Sequence, residues 1–151
     1  YDNMEILCDV IPKWKSLKSL RLQKAFPDDD NRESVRRSSI LVRLLSAISQ
    51  CTALQHLFLR RMHIDDSLVQ RLGETLKSLE QLKEVNVWNN DITAIGLKAL
   101  ARHLNERQNK LQMLDVKENG GSTDENIVRQ LKMASNYVVT YRVNIAWPTK
   151  L

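Results

Sequence analysis

The sequence predicts an α/β fold in which short parallel strands alternate with helices along a stack of repeated units. Three observations lead to this prediction: a recurring six-residue motif, the alternation of apolar residues within it, and an apolar helical stripe after each copy. The chain has 151 residues, of which 42% are hydrophobic and 27% are charged, which suits one folded domain. It contains no run near the ~18 apolar residues of a membrane span, so a membrane role is not expected.

The recurring motif has the form L-x-x-L-x-L, with Val accepted at the later apolar positions. Its four copies begin at Leu17, Leu54, Leu82 and Leu111, with spacings of 37, 28 and 29 residues. In the second half of each copy Leu or Val recurs at every second position, so one face of a short strand is apolar and the other carries polar or mixed residues. The regular period predicts repeated structural units rather than unrelated strands.

An apolar stripe with helical spacing follows each motif. The third copy, for example, precedes Ile95, Leu97, Leu100 and Leu104. A strand and a helix of this length cannot bury both apolar faces alone. We therefore expect neighbouring units to stack, with a parallel sheet on the inside and the helices outside.

The elements divide one domain, 1–151, into six parts. We predict a leading helix over 1–16, repeats over 17–53, 54–81, 82–110 and 111–137, and a terminal strand and tail over 138–151. The apolar, β-branched residues of 137–146 predict that last strand, with Val143 and Ile145 facing inwards. The long first spacing indicates an acidic insertion loop over 26–34, which carries Asp28, Asp29 and Asp30. Because the chain starts at Tyr1, we expect it to be a piece of a longer protein.

Two segments carry a resemblance to a known family. Residues 88–101 are similar to the N-x-I-x-x-x-G-x-x-x-L pattern, and residues 50–57 to a cysteine-bearing strand entry. The chain thus resembles the leucine-rich repeat family of the ribonuclease-inhibitor-like type, as in the C-terminal region of nucleotide-binding leucine-rich-repeat (NLR) immune receptors. This resemblance implies a solenoid, a partial horseshoe with the sheet on its concave side and the helices on its convex side. It also implies that Asn90 and Asn119 cap backbone groups between neighbouring turns.

Residues with reactive side chains do not form a recognisable site. The three histidines and two cysteines are scattered without metal-ligand spacing, and no phosphate-binding glycine loop or nucleophile motif occurs. Cys51 occupies a position that the resembling repeats bury, so we expect it in the core. We therefore predict no enzymatic activity, no cofactor and no metal. With no cysteine scaffold, the chain is expected in the cytoplasm.

The strand residues that face away from the helices should form columns across the sheet. Aromatic and arginine side chains in these columns are the types enriched at the energetic centres of protein interfaces. The predicted partner-binding residues are Phe58, Trp88, Arg60, Arg61, Arg21, His56 and Asn86. As exposed anchors, the two aromatic residues should be replaceable by alanine with little loss of thermal stability.

These observations predict a non-enzymatic module for protein–protein interaction and ligand sensing. The family resemblance implies the C-terminal part of a cytosolic NLR-like receptor of innate immunity. One alternative is a substrate-recognition array of an F-box ubiquitin-ligase adaptor, and another is a GTPase-activating protein. The expected partner is a protein on the concave face, with upstream domains of the same chain as a second candidate. With a net charge of +5, nucleic acid is permitted but not the expected partner.

Overall fold

The computed structural model describes residues 1–27 and 33–140 of the chain. Its helices are α1 (Asp2–Val10), α2 (Ser34–Ile48), α3 (Asp66–Ser78), α4 (Ala94–Asn105) and α5 (Glu125–Ala134), and its strands are β1 (Ser19–Gln23), β2 (His56–Arg60), β3 (Glu84–Asn86), β4 (Leu111–Asp115) and β5 (Ser135–Val139). A 3₁₀ turn (Ile11–Lys13) follows α1. In the described ranges, no helix is both long and apolar enough to span a bilayer.

The five strands form one parallel sheet in the order β1-β2-β3-β4-β5. Leu20, Leu57, Val85 and Leu114 lie side by side in the register of the first four strands. None of these four side chains is more than 7% exposed. The prediction of an α/β fold with a parallel sheet is therefore confirmed, whereas the horseshoe curvature stays a prediction.

The helices bury most of the apolar stripes that the sequence predicts. Ile95, which the sequence placed in the stripe of α4, is 79% exposed, because residues two apart in a helix, such as Ile95 and Leu97, do not share a face. Leu72, Leu100 and Leu131 lie in one continuous core with the inward strand residues. Three helices begin with a side chain that accepts a backbone hydrogen bond, a feature that stabilises helix starts. These N-caps are Asp65, Thr93 and Asp124, each a few residues beyond a strand.

Each of the first four strands leads into a residue with left-handed backbone conformation. The φ angles are 50° at Lys24, 51° at Arg61, 52° at Asn89 and 58° at Glu118. This conformation costs a residue other than glycine roughly 1–2 kcal/mol, with asparagine better suited than the others. The same turn at four equivalent places shows that the units share one strand exit.

Asparagine side chains join neighbouring units just beyond these turns. The Asn90 Oδ1 accepts hydrogen bonds from the backbone N–H groups of Met62 at 2.9 Å and Ile64 at 3.0 Å. Its Nδ2 donates to the carbonyls of Leu59 and Val87, both at 2.8 Å. Asn119 repeats the arrangement one unit later, donating to the Val87 carbonyl at 2.9 Å. The predicted capping by both asparagines is confirmed.

Arg107 performs a similar task at the opposite end of the strands. Its guanidinium donates to the carbonyls of Leu76, Leu79 and Leu82, around the end of α3 and the entry of β3. Burial lowers the pKa of Arg107, because desolvation disfavours the charged form. A cation at a helix C-terminus offsets part of that cost by satisfying carbonyls without an intrahelical partner.

Two sequence-based expectations need correction. The terminal strand begins at Ser135 rather than near 138, directly after Ala134 of α5, and Val143 and Ile145 lie outside the described residues. Phe26, expected in an exposed insertion loop, is 2% exposed and packs in the core with its ring 5.5 Å from that of Tyr1. Asp28–Asp30 also lie outside the described residues.

Replacing Asn90 tests the capping role. We expect Asn90→Ala to lower the free energy of unfolding by about 3–5 kcal/mol, because it leaves buried N–H and carbonyl groups without partners. Urea denaturation measures the change. The matched control is Asn109→Ala, since Asn109 is exposed and should change stability by less than about 0.5 kcal/mol. A loss below about 1 kcal/mol for Asn90→Ala would contradict the role.

Candidate partner-binding face

The outward residues of the strands form the columns expected from the sequence. Along one column, His56 pairs with Ser19 and Glu84, and Glu84 pairs with Met113. Along the next, Phe58 pairs with Arg21 and Asn86, and Asn86 pairs with Asp115. We call this outward surface of β1–β4, with the residues at the strand exits, the sheet face.

Phe58 is covered by two arginines. The Arg21 guanidinium lies 4.5 Å from the centre of the Phe58 ring, and the Arg60 guanidinium lies 5.1 Å from it. Phe58 is only 5% exposed, although it does not belong to the core under the helices. The expectation of an exposed phenyl ring is therefore wrong: long side chains from its own and the neighbouring strand close over it. What this part of the face presents is guanidinium groups held against an aromatic ring.

Asn86 and Trp88 lie in a polar network beside this arginine–aromatic stack. The Asn86 Nδ2 donates to Asp115 Oδ2 at 2.8 Å, and its Oδ1 accepts from the Trp88 backbone N–H at 2.9 Å. Lys117 contacts both sides of the network, with Nζ 3.3 Å from Asp115 Oδ2 and 5.8 Å from the centre of the Trp88 ring. Asn86 is buried, so it supports Trp88 rather than offering itself to a partner.

Two N–H donors on the face are buried without an acceptor. They are Arg60 Nε and Trp88 Nε1, for which no hydrogen-bond partner exists among the described residues. Most buried polar atoms in folded proteins are hydrogen-bonded, so a pair of orphans in adjacent units is unusual. Both groups can only donate a hydrogen bond, so each is suited to an oxygen acceptor.

The remaining predicted residues lie at the margins. The His56 Nδ1 is 3.2 Å from Glu84 Oε2, so His56 already has a partner on β3. Arg61 occupies the left-handed turn and donates its backbone N–H to the Trp88 carbonyl at 3.0 Å. The structure thus brings Arg21, Phe58 and Arg60 into one contact group and places the other predicted residues around it.

Sequence reasoning missed the contribution of Asp115 and Lys117. Asp115 is 5% exposed and accepts from both Asn86 and the Lys117 backbone N–H. A signal for it was present, because Asn86 and Asp115 fall in the same column of adjacent units. An amide next to a carboxylate in a parallel register is placed to form a cross-strand hydrogen bond.

Reactive groups in the described ranges do not assemble into a chemical centre. Both cysteines are free and buried, and burial is the main cause that raises the pKa of each thiol. A raised pKa disfavours the thiolate, which is the nucleophilic form. No three His, Cys, Asp or Glu side chains in residues 1–27 and 33–140 are grouped so as to hold a metal ion. The expected position of Cys51 in the core is confirmed by its 0% exposure.

The burial of Phe58 leads to a prediction opposite to that for an exposed anchor. We expect Phe58→Ala to lower the free energy of unfolding by about 2–4 kcal/mol, since it removes a packed ring and two cation–π contacts. Thermal or urea unfolding measures the change. Ile6→Ala serves as control, because Ile6 is 61% exposed, and should cost less than about 0.5 kcal/mol. A Phe58 variant as stable as the parent would mean that the ring is not covered in solution.

The thiols provide a second check on packing. At about pH 8, where an exposed cysteine reacts readily, both thiols should react with a chromogenic disulfide reagent only after urea is added, because burial raises their pKa and blocks access. Single variants Cys8→Ala and Cys51→Ala assign the signals. Fast labelling of Cys51 in the folded protein would contradict its place in the core.

The fold is shared with solved structures. No protein-family model and no curated protein sequence matches the chain. One matching structure is titled leiomodin-1 actin-binding site 2, with a TM-score of 0.70 and 21% identity, over 95% of this chain and 81% of that one. Another is the tropomodulin C-terminal domain of Caenorhabditis elegans, with a TM-score of 0.70 and 16% identity, over 95% of this chain and 85% of that one.

These matches overturn the family predicted from the repeats. The chain was expected to be a leucine-rich repeat of the type in NLR immune receptors, with F-box adaptors and GTPase-activating proteins as alternatives. The NLR assignment is wrong, because the structures that share the fold are a leiomodin actin-binding site and a tropomodulin domain, and neither alternative finds support in these matches. The physical reason is that L-x-x-L-x-L reports which residues are buried and carries no information on the ligand. At the identities found, the likeness establishes the fold of this chain.

Proposed function

We propose that the chain is a non-enzymatic protein-binding domain and that its partner is actin. The observation that carries the proposal is the likeness, over 95% of the chain, to a structure titled as an actin-binding site. The sheet face supports it, since arginine and tryptophan are enriched where protein interfaces gain most of their energy. The cytoplasm is the proposed compartment, where reduced Cys8 and Cys51 are expected.

The absence of enzymatic activity is part of the proposal. The thiols are buried, and burial raises their pKa. The His56–Glu84 pair lies on the open sheet face with both side chains 32% exposed. Acid–base catalysis needs a site that excludes water and holds its groups around a substrate, and an open face does neither.

We also propose that the sheet face is concave. Parallel strands lie about 4.8 Å apart, whereas packed helices need about 8–10 Å between their axes. A stack that joins strands on one side to helices on the other therefore bends towards the strands. A concave face presents its columns to one partner surface at the same time.

Binding to actin tests the proposed function. We expect the domain to co-sediment with filamentous actin or to elute with monomeric actin in gel filtration. Met113→Arg should reduce the bound fraction about tenfold or more, because it puts a bulky charge on an outward position of β4. Lys98→Glu, on the exposed surface of α4, should bind as the parent does. Absence of binding to both forms of actin would refute the proposal.

A further inference from the structure

We infer that the basic half of the sheet face binds an acidic segment of the protein partner, with a carboxylate of that segment accepting hydrogen bonds from Arg60 and Trp88. The basic half consists of the outward and exit residues of β1 and β2 together with Trp88. The inference rests on the proposed function in taking the face as a protein-binding surface. It adds the chemistry of the partner and the residues that recognise it.

Charge on the face is separated along the sheet. The outward and exit positions of β1 and β2 hold four arginine or lysine residues and no aspartate or glutamate. The eight residues at these positions are Ser19, Arg21, Gln23, Lys24, His56, Phe58, Arg60 and Arg61. The carboxylates of the face are on the later units, and each has a partner nearby. Glu84 is beside His56, and Asp115 is bonded to Asn86. Charge complementarity therefore favours an acidic segment over β1 and β2.

Two of the three arginines of this half, Arg21 and Arg60, are held in place for an anion. Both guanidiniums lie against the Phe58 ring, at 4.5 Å and 5.1 Å from its centre. Within the described part of the chain, neither Arg21 nor Arg60 forms an ion pair. A stacked guanidinium loses less freedom on binding a carboxylate than a free side chain does. Contact with the Phe58 ring thus fixes the positions of the two guanidinium groups and leaves their positive charge available to a partner.

The orphaned donors indicate where the carboxylate binds. Arg60 ends β2, Trp88 lies just beyond β3, and both have a buried N–H without an acceptor in the described residues. A carboxylate carries two oxygens with several acceptor positions, so one group can serve both donors after a small shift of the side chains. Hydrogen bonds in which the donor or the acceptor is ionised are stronger than those between two neutral groups.

A nucleic acid fits this surface less well. A phosphate backbone needs a stripe of cations along several nucleotides. Here most of the positive charge lies on two strands, Lys117 is paired with Asp115, and Glu84 and Glu118 are also on the next two units. A short acidic peptide segment matches the size of the basic half and avoids those carboxylates.

The test follows the indole N–H of Trp88 by NMR of isotope-labelled protein. The chain has three tryptophans, so Trp88→Phe identifies the Trp88 signal by its loss. The probe is a short capped peptide with glutamates on both sides of a leucine, and its analogue with glutamines is the comparison. We expect the glutamate peptide to shift the Trp88 signal and the glutamine peptide to leave it unchanged.

Arg60→Met removes the donors and keeps an apolar side chain over Phe58. It should weaken binding of the glutamate peptide and of actin by about tenfold, whereas Lys98→Met on α4 should change neither. An unchanged unfolding midpoint for each variant shows that the fold is intact. If Arg60→Met unfolds, Arg60→Lys replaces it, because lysine keeps the charge but lacks the paired donors and should bind the peptide more weakly.

The outcomes separate this inference from the proposed function. Actin binding that does not depend on Arg60, or a Trp88 signal that neither peptide moves, overturns the inference and leaves the proposed function standing. Equal shifts with the glutamate and glutamine peptides also overturn it. A shift by a single-stranded oligonucleotide but not by the glutamate peptide would assign the basic half to phosphate instead. Binding of the glutamate peptide without binding of actin refutes actin as the partner and supports the acidic-segment chemistry.

Discussion

The Asn90 carboxamide illustrates the constraint on which the structure depends: backbone groups that are buried where strands end must find partners. Its two atoms satisfy N–H and carbonyl groups on two consecutive units. Such bonds form only when neighbouring units keep one spacing and one register. That register brings Leu57 beside Val85 on the inside and Phe58 beside Asn86 on the outside. Core packing and the arrangement of the sheet face thus have the same origin.

The sheet face derives its character from residues that the core does not need. Inward positions of β2 and β3 hold apolar side chains, whereas the outward positions include arginine, phenylalanine and asparagine. Arg21 and Arg60 enclose Phe58, and Asp115 anchors Asn86. The face is therefore partly ordered before any partner arrives, which lowers the conformational entropy lost on binding. A binding surface can change in this way while the core stays constant.

The fold could be predicted from the sequence because the spacing of apolar residues within a short segment already indicates a strand or a helix. The alternation around Leu57 and the stripe through Leu100 report burial directly, and they identify strands, helices and columns. The covering of Phe58 could not be predicted, because it depends on how two long side chains from adjacent strands lie over a ring. The burial of Phe26 was missed for a related reason: the residue lies in a turn-rich segment, and it packs against Tyr1, which is distant in sequence. The family was misassigned because burial patterns are shared by folds that serve different partners.

The direct junction of α5 and β5 has a consequence for changes in chain length. In the preceding units, several residues connect each helix to the next strand, such as 79–83 between α3 and β3. Ala134 ends α5 and Ser135 starts β5, so no connecting residue can absorb an insertion or deletion. A single added residue would exchange the sides of exposed Tyr137 and half-buried Val138, since strand side chains alternate. Length variation and fused labels should therefore be tolerated in the longer connections and not at this boundary.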